Sequence, residues 1–361
     1  MKRVAVLGRG NGAFAMASDL SLQGFEVTLW SKPFGELKKI QKTHTIKISG
    51  PLIQAEAKIH NITENIEEAV READLICAPV PAFTQTSIAE SLSHVVEDGQ
   101  VIFLSPGTFG SYLIYHALRE RGCKKDVAIG ETGTLPYLAR KIDDGECRIV
   151  VKACHLPTGI FPARKTEEAI EKIKAFFPSV HPVEDALSAA LLNAGPIIHP
   201  PLVVLNTGPV EGPVPYDIHN EGTTPGIRKI ISLLDEERVA VREALGYKPN
   251  HYRLRDYYED TGPGEWMYPK QSKELLMKSR LWHEKIDYHH RYVTEDIAHG
   301  LAFLISTAEY AGVDVPVARS LITLAGAIVG TDFLKTGRTL DSLGLSRASA
   351  GRLREILFDG F

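Results

Sequence analysis

Two segments in the second half of the chain carry polar side chains that can move a proton or bind an anion. In the first, from Leu192 to Pro201, His199 and Asn193 interrupt an otherwise apolar run. A histidine titrates near neutral pH and can act as an acid or a base, although a lone buried histidine is more often a hydrogen-bonded core residue. In the second, Arg291 and Asp296 stand five positions apart around a predicted helix start. Such a polar cluster is also typical of a helix cap, so both interpretations stay open.

A third segment carries glycines at the spacing that suits phosphate binding. The run from Gly8 to Ala13 fits G-x-G-x-x-A, directly after an apolar strand and at the start of a helix. The first glycine makes a tight turn, the second lets the backbone approach a pyrophosphate, and the small last residue keeps helix and strand close. The helix N-terminus adds N–H groups and a positive dipole. The alternative is a glycine-rich turn in a non-binding domain. The residues that we expect to contact a dinucleotide are Gly8, Gly10, Asn11, Gly12 and Ala13.

The end of the second predicted strand indicates which dinucleotide this would be. NAD enzymes usually carry an Asp or Glu there, which bonds the ribose hydroxyls. This chain has Trp30, Ser31 and Lys32 instead. Ser31 can donate to a 2′-phosphate and Lys32 can pair with it, so we expect NADP as the cofactor. If both residues are only solvated loop positions, NAD is the alternative.

The first half of the chain alternates strand and helix patterns, which predicts a doubly wound parallel sheet in an α/β fold. The predicted strands are Arg3–Leu7, Glu26–Trp30, Ala73–Pro81, Gln100–Gly107, Val127–Glu131 and Arg148–Lys152. Turns follow two of them, at Val80, Pro81 and Pro106, and a ligand of such a sheet lies outside the carboxyl ends of its strands. We expect these three residues to line the cofactor site, although a simple strand-ending turn explains each of them equally well.

Beyond about residue 185 the strand patterns fade and helical patterns replace them. They predict one long helix over 186–205, or two helices that abut near Pro200 and Pro201, and further helices over 233–245, 296–311 and 316–329. In the first half of the chain, a helical pattern covers 12–22. We therefore predict an N-terminal Rossmann domain over residues 1–185 and an all-α C-terminal domain over residues 186–361. Residues 250–290 match neither pattern.

Composition excludes several other classes of protein. The 361 residues include 41 Lys and Arg against 45 Asp and Glu, a formal net charge of −4. This balance argues against a nucleic-acid binder and a polybasic membrane anchor. Four scattered cysteines without a CxxC pair favour a reducing, cytoplasmic setting. The best membrane-span candidate, Leu321–Gly330, is too short. Thirteen histidines form no HExxH motif and no Cys/His quartet, so we expect no metal site.

The chain resembles opine dehydrogenases of the octopine/nopaline type across nearly its whole length. The combination of matching features is more specific than any one motif. In family order these features are Gly8 to Ala13, Gly130–Glu131–Thr132, Asn193 to Pro200, Leu205–Asn206, Arg291–Tyr292, Glu295–Asp296, Gly300–Leu301, Thr331–Phe333, Gly337–Leu340 and Leu343–Leu345. Residues 250–290 match nothing in the family, and we expect substrate choice to lie there.

The resemblance implies a reductive condensation. The amino group of an amino acid and the carbonyl of a 2-oxo acid, such as pyruvate, form an imine that NAD(P)H reduces to a secondary amine. It also implies a catalytic His–Asp pair, here His199 and Asp296, in which the carboxylate holds the imidazole tautomer. Arg291 would clamp a substrate carboxylate, or else pair with Glu295 or Asp296. Asn193 would orient substrate or nicotinamide, or only cap helices.

The direction in which the pKa of His199 shifts stays open from the sequence, because Asp296 should raise it while burial should lower it. Two other functions also stay open. Glycerol-3-phosphate dehydrogenases and ketopantoate reductases share a similar plan but rely on a lysine in the helical domain, and residues 185–205 contain none. A non-catalytic dinucleotide sensor would tolerate loss of the His–Asp pair. As partners we expect the small-molecule substrates and, as one oligomeric form, a homodimer.

Overall fold

The computed structural model describes residues 1–32, 37–257 and 266–361. The chain divides into two compact units. Unit 1 contains residues 1–190, 268–276 and 355–361, and unit 2 contains residues 191–267 and 277–354. The division at residue 190 lies five residues beyond the boundary expected from the sequence.

Unit 1 is built on two sheets. Eight strands form the main sheet in the order β12-β11-β8-β7-β6-β1-β2-β5, and four form a second sheet in the order β4-β3-β10-β9. The strands are β1 (Arg3–Leu7), β2 (Glu26–Trp30), β3 (Thr45–Ser49), β4 (Ala55–Lys58), β5 (Asn61–Thr63), β6 (Leu75–Ala78), β7 (Val101–Leu104), β8 (Ala128–Thr132), β9 (Tyr137–Asp143), β10 (Glu146–Lys152), β11 (Leu156–Phe161) and β12 (Val180–Pro182).

The centre of the main sheet is parallel, as the alternating pattern predicts. β1 pairs with β2 and β6, and β7 pairs with β6 and β8, all in parallel. Every residue of β6 and β7 is buried, which explains why these strands read as continuous apolar runs. The pair β11–β12 runs in the opposite direction, because β11 is antiparallel to β8. The carboxyl ends of β7, β6, β1 and β2 therefore lie along one edge.

The predicted strand Arg148–Lys152 belongs to the second sheet and not to the main one. As part of β10 it is antiparallel to β9 and parallel to β3. Asp19 joins this sheet to the first helix, because its carboxylate accepts the hydroxyl of Tyr137 at 2.7 Å and the ammonium of Lys152 at 2.6 Å. A local apolar run predicts a strand but not the sheet that it joins, which explains the error.

Helices cover the strands of unit 1 and make up most of unit 2. In chain order they are α1 (Asn11–Leu22), α2 (Lys38–Thr43), α3 (Ile66–Val70), α4 (Gln85–Leu92), α5 (Gly110–Glu120), α6 (Thr166–Lys174), α7 (Ala186–Ala190), α8 (Gly195–Leu205), α9 (Thr207–Glu211), α10 (Pro225–Ala244), α11 (Ser272–Ser279), α12 (Arg291–Thr294), α13 (Ala302–Ala311), α14 (Pro316–Val329), α15 (Phe333–Thr336) and α16 (Ala350–Asp359). Short 3₁₀ turns cover Ala82–Thr84, Ala163–Lys165 and Leu254–Asp256, and a π-helical segment covers Asp296–Leu301.

Among its described residues, unit 2 departs from an all-helical domain in one small feature. Strands β13 (Tyr216–Asp217) and β14 (His283–Glu284) form a two-residue antiparallel ribbon. Two pieces of the predicted second domain belong to unit 1, for identifiable reasons. The hydroxyl of Tyr268 lies 2.7 Å from that of Thr134, and the ring of Phe361 packs edge-on against Tyr112 at 5.4 Å between centroids.

The apolar segment Ala186–Leu205 folds as two helices, α7 and α8, with Pro200 and Pro201 inside the second. This segment corrects the expectation that no apolar stretch is long enough to cross a membrane. Its 20 residues have a mean hydropathy of 1.4 and pass that test by length and composition, but 78% of its most apolar window is buried. A core helix of a soluble protein passes the same test, so the finding is weak evidence for a span. The expected candidate, Leu321–Gly330, lies mostly in the shorter helix α14.

Candidate functional site

The glycine turn between β1 and α1 has the geometry of a phosphate-binding loop. Gly8 has a φ of +130°, which favours glycine, and its N–H donates to the carbonyl of Trp30 at 2.8 Å. A Cβ on Gly10 would meet no atom within 4 Å, whereas one on Gly12 would lie 3.1 Å from Pro79. Because Gly10 caps α1 without a side chain, the N–H groups of the first turn are open to an anion. This turn fits the pyrophosphate of a dinucleotide.

The structure brings the predicted turns of the cofactor site to the same edge of the main sheet. Gly8 follows β1, Val80 and Pro81 follow β6, and Pro106 follows β7. A Cβ on Gly8 would lie 3.6 Å from a methyl group of Val80, and Ala13 is fully buried beneath the same turn. These turns therefore share one edge of the main sheet, as the strand ends in the sequence predicted.

Glu131 holds the turn after β7, a role that the sequence did not predict beyond the place of this residue in the family resemblance. Its fully buried carboxylate accepts the N–H groups of Phe109 at 2.8 Å and Ser111 at 2.7 Å. A Cβ on Gly107 would collide with it. A glutamate inside an otherwise apolar strand was the signal that could have identified this role, since buried carboxylates need hydrogen-bond partners.

Three predicted cofactor residues differ in their surroundings. The side-chain oxygen of Asn11 accepts the N–H of Lys141 at 2.8 Å, so it fastens the edge strand β9 to the turn. Ser31 is only 2% exposed, and its N–H donates to the carbonyl of Thr63 at 3.2 Å. Lys32 is exposed. Of the two residues expected to reach a 2′-phosphate, Lys32 is the one at the surface.

Unit 2 holds the second candidate site, centred on His199 and Asp296. The imidazole Nδ1 lies 2.7 Å from the Oδ2 of the carboxyl group, with the two side chains 15% and 6% exposed. The structure thus brings together two residues 97 positions apart, as expected. Asp296 opens the π-helical segment, and His199 lies one turn into α8.

Two glycines allow the π-helical segment to approach α8. A Cβ on Gly195, the first residue of α8, would collide with the Asp296 carboxylate, and one on Gly300 would collide with the ring of Pro196. On the other side of the segment, the carbonyl of Ala298 accepts the N–H of Arg338 at 2.9 Å. A single π turn inside a longer helix often marks a functional site. Here it delivers Asp296 to the imidazole.

Burial determines the pKa shifts of His199 and Asp296, whose direction the sequence left open. Burial lowers the pKa of His199 well below its usual range, and the positive charge of Arg291 adds to this effect. Burial also raises the pKa of Asp296 to about 7, against the opposing influence of Arg291. Because Arg291 favours both a carboxylate and a neutral imidazole, the pair near neutral pH is best described as a neutral imidazole whose Nδ1–H donates to Asp296.

Arg291 and Asn193 adopt the structural contacts that the sequence analysis held as alternatives. The Nε of Arg291 lies 3.4 Å from the carboxylate of Glu295, and its side chain is 40% exposed. Burial opposes its charge, but Glu295 and Asp296 outweigh burial and raise the pKa of Arg291, which stays a cation. The side-chain oxygen of Asn193 accepts the N–H of Gly195 at 3.0 Å and so caps α8.

Three aromatic side chains at this site were not predicted. Tyr292 stacks on His199, His219 hydrogen-bonds Tyr292, and Trp282 packs against His219. Tyr292 follows Arg291 in the family motif, which was a usable signal. His219 and Trp282 reach the site by packing between distant segments, and no local pattern indicated them. Among residues 1–32, 37–257 and 266–361, no group of three or more His, Cys, Asp or Glu side chains is placed to hold a metal ion.

Comparison with known proteins gives a family match in each half of the chain. Residues 182–329 match the family model described as NAD/NADP octopine/nopaline dehydrogenase, alpha-helical domain, and residues 3–113 match NAD-dependent glycerol-3-phosphate dehydrogenase N-terminus. An opine dehydrogenase of Arthrobacter sp. is 31% identical over 98% of both chains, and a vitopine synthase of Allorhizobium ampelinum is 28% identical over 99% of both.

Solved structures show the same fold. Octopine dehydrogenase in complex with NADH and agmatine gives a TM-score of 0.74 at 19% identity, covering 99% of this chain and 98% of that one. NADP⁺-bound yersinopine dehydrogenase gives a TM-score of 0.66 at 15% identity, covering 100% of this chain and 98% of that one.

The fold and the two sites define an NAD(P)-dependent oxidoreductase that acts on a CH–NH group. The chain belongs to the opine dehydrogenases of the octopine/nopaline family. The match to the glycerol-3-phosphate dehydrogenase N-terminus covers the part of the chain that contains the glycine turn, which explains why that class was a reasonable alternative from the sequence.

The electrostatics of unit 2 generate a prediction about Arg291. In Arg291→Gln, the pKa of His199 should rise, because a positive charge that opposes protonation is removed. Histidine-resolved NMR titration measures the shift. Arg255→Gln, which removes an exposed cation elsewhere in unit 2, serves as the matched control and should leave the pKa unchanged. An unchanged or lower pKa in Arg291→Gln would remove Arg291 from the electrostatics of the pair.

Proposed function

We propose that this opine dehydrogenase handles the reacting proton at His199, with Asp296 as its partner. The family reaction joins an amino acid to a 2-oxo acid through an imine and reduces it to a secondary amine. The observation that supports the proposed roles is the buried 2.7 Å contact between Nδ1 and Oδ2. With Nδ1–H donated to the carboxylate, Nε2 is the imidazole atom left for the substrate.

The low pKa of His199 suits a proton carrier that works in both directions. In the oxidative direction the secondary amine loses a proton to Nε2 as its carbon gives up a hydride. In the reductive direction the imidazolium returns that proton to the nitrogen. Burial makes the imidazolium a stronger acid than an exposed one, and Asp296 stabilises it while it exists. Bound NAD(P)H supplies the hydride that reduces the imine carbon.

Arg291 is the proposed anchor for a substrate carboxylate. It stays a cation, its side chain is 40% exposed, and Glu295 contacts it through Nε. A guanidinium held at Nε can still present its two terminal nitrogens to a carboxylate in a bidentate arrangement. Asn193 has its oxygen committed to capping α8, so its proposed part is to fix the helix that carries His199.

For the cofactor, we propose NADPH over NADH. The open backbone at Gly10 would hold the pyrophosphate, with Val80, Pro81 and Pro106 along the same edge. Lys32 supports the phosphorylated form, because it is exposed just after β2 and no Asp or Glu occupies that strand end. Both cofactors occur in proteins of this fold, since octopine dehydrogenase was solved with NADH and yersinopine dehydrogenase with NADP⁺.

For the substrates, pyruvate is the proposed 2-oxo acid, since octopine dehydrogenase was solved with pyruvate and also with L-arginine. A cytoplasmic location is proposed as well. Cys77, Cys123 and Cys147 are buried free thiols, which supports a reducing compartment. The homodimer stays a prediction.

The roles of the pair predict a specific kinetic defect. His199→Ala and Asp296→Asn should each lower kcat by about 100-fold or more. The dissociation constant for NADPH should stay nearly unchanged, because the glycine turn that binds it belongs to unit 1. Turnover with pyruvate and a panel of amino acids, together with NADPH titration, measures both. His289→Ala, at an exposed position, is the control. Normal turnover in both site variants would refute the proposed roles.

The cofactor proposal has its own test. Lys32→Asp should lower the ratio of kcat/KM for NADPH to that for NADH by about tenfold or more, since a carboxylate repels the 2′-phosphate and accepts from ribose hydroxyls. Lys229→Asp makes the same charge change at an exposed position of α10 and should leave the ratio alone. If the ratio does not move in Lys32→Asp, Lys32 does not contact the phosphate.

A further inference from the structure

The face of the His199 ring is covered by a residue that has no role in the proposed reaction. The ring of Tyr292 lies parallel to the imidazole, with 3.7 Å between centroids and 15° between planes. Tyr292 is 6% exposed. The proton chemistry uses the edge of the imidazole, at Nδ1 and Nε2. The stacked phenol therefore acts on a different surface of the same group.

The tyrosine ring is itself held from several directions. Its hydroxyl lies 2.9 Å from the Nε2 of His219, and His219 packs against Trp282 at 4.5 Å between centroids. His290 stands edge-on to the tyrosine ring at 4.2 Å, and its Nδ1 accepts the N–H of Tyr292 at 3.3 Å, which caps α12. Backbone, ring and hydroxyl are thus all constrained, so Tyr292 presents one fixed surface to His199.

The charges around the imidazole explain why that surface matters. Asp296 on the π-helical segment faces Nδ1, and Arg291 on α12 is the cation whose charge disfavours protonation. Glu295 partly offsets Arg291. His219 approaches edge-on at 5.3 Å. A second, more distant contribution comes from Glu284 of β14, which acts on Arg291.

A buried imidazolium beside an arginine is costly, and Asp296 stabilises only one of its edges. The face of an aromatic ring carries negative electrostatic potential and attracts a cation placed over it. A phenol stacked at 3.7 Å meets that condition as soon as His199 gains its second proton. Stacking also fixes the plane of the imidazole, and with it the direction of Nε2.

We propose that Tyr292 is a positioning residue for the reaction at His199: its ring fixes the imidazole plane and stabilises the imidazolium. The proposal rests on the proposed role of His199. It assigns a function to the tyrosine of the Arg291–Tyr292 motif, which the proton transfer and the carboxylate anchor do not use.

Three substitutions at position 292 test the proposal, two of which keep an aromatic ring of nearly the same shape. The variants are Tyr292→Phe, 3,4,5-trifluorophenylalanine introduced at the same position, and Tyr292→Leu. Fluorine withdraws electron density from the ring face, so the pKa of His199 should be nearly unchanged with Phe and should fall by about half a unit or more with the fluorinated ring and with Leu. Histidine NMR titration and the pH dependence of kcat for reduction measure it.

Kinetics provide the second readout. Tyr292→Leu should lower kcat by about 10- to 100-fold, because the imidazole loses its fixed plane, while KM for NADPH changes less than about twofold. Tyr292→Phe should retain most of the turnover. In the reductive direction, activity that needs the imidazolium should decline at a lower pH in the fluorinated variant than in Phe. Thermal unfolding confirms that each variant is folded.

The outcomes separate this proposal from the one on which it rests. If the pKa of His199 is the same across the Phe, fluorinated and Leu variants, the electrostatic role of Tyr292 is refuted. If Tyr292→Leu also keeps normal kcat, the positioning role is refuted too. If His199→Ala retains turnover, the proposed role of His199 fails whatever Tyr292 does. If Tyr292→Leu does not fold, the pKa of His199 in the Phe variant compared with its fluorinated analogue still tests the electrostatic role of Tyr292.

Discussion

The hydrogen bond between His199 and Asp296 is the interaction on which the reactive part of the molecule depends. Its 2.7 Å length requires the π-helical segment to lie against α8 with nothing between them. Gly195 and Gly300 meet this requirement by having no side chain, because a Cβ at either position would collide with Asp296 or Pro196. Burial makes the pair chemically useful, since it lowers the pKa of the imidazole and raises that of the carboxyl to about 7. Packing and acid–base chemistry are therefore set by the same close contact.

The two units meet different physical demands. In unit 1 the candidate cofactor site is made mainly of backbone: a glycine with positive φ, an uncapped helix start and turns at the ends of parallel strands. Glu131 supports it from beneath by binding two N–H groups of the turn after β7. In unit 2 the candidate reaction site is made of side chains from α8, α12, the π-helical segment and the segments that carry His219 and Trp282, and their positions depend on tertiary packing. A phosphate can be bound by a standard loop, whereas proton transfer needs groups placed individually.

This difference explains how much the sequence could predict. Local signals were sufficient for β1, β2 and α14, the last beginning at Pro316 and ending before Gly330, whose positive φ suits glycine. The family resemblance was sufficient to pair His199 with Asp296. The sheet that contains Arg148–Lys152 and the burial of Ser31 depend on contacts between distant segments, which no window of the sequence contains. The contact of Asn193 with Gly195 is local, and helix capping was one of the two roles that the sequence left open for Asn193. The π-helical segment was predicted as ordinary helix over 296–311, because one additional residue in a turn barely alters the apolar pattern.

The most direct measurement of the central claim is the kcat of the double variant His199→Ala/Asp296→Asn beside its two parents. If Asp296 acts through the imidazole, replacing it in a chain that already lacks the imidazole should cost almost nothing more, so the double variant should match His199→Ala. A double variant whose loss equals the product of the two single losses would show that the residues act independently, and would contradict the assignment of a single acid–base unit to this site.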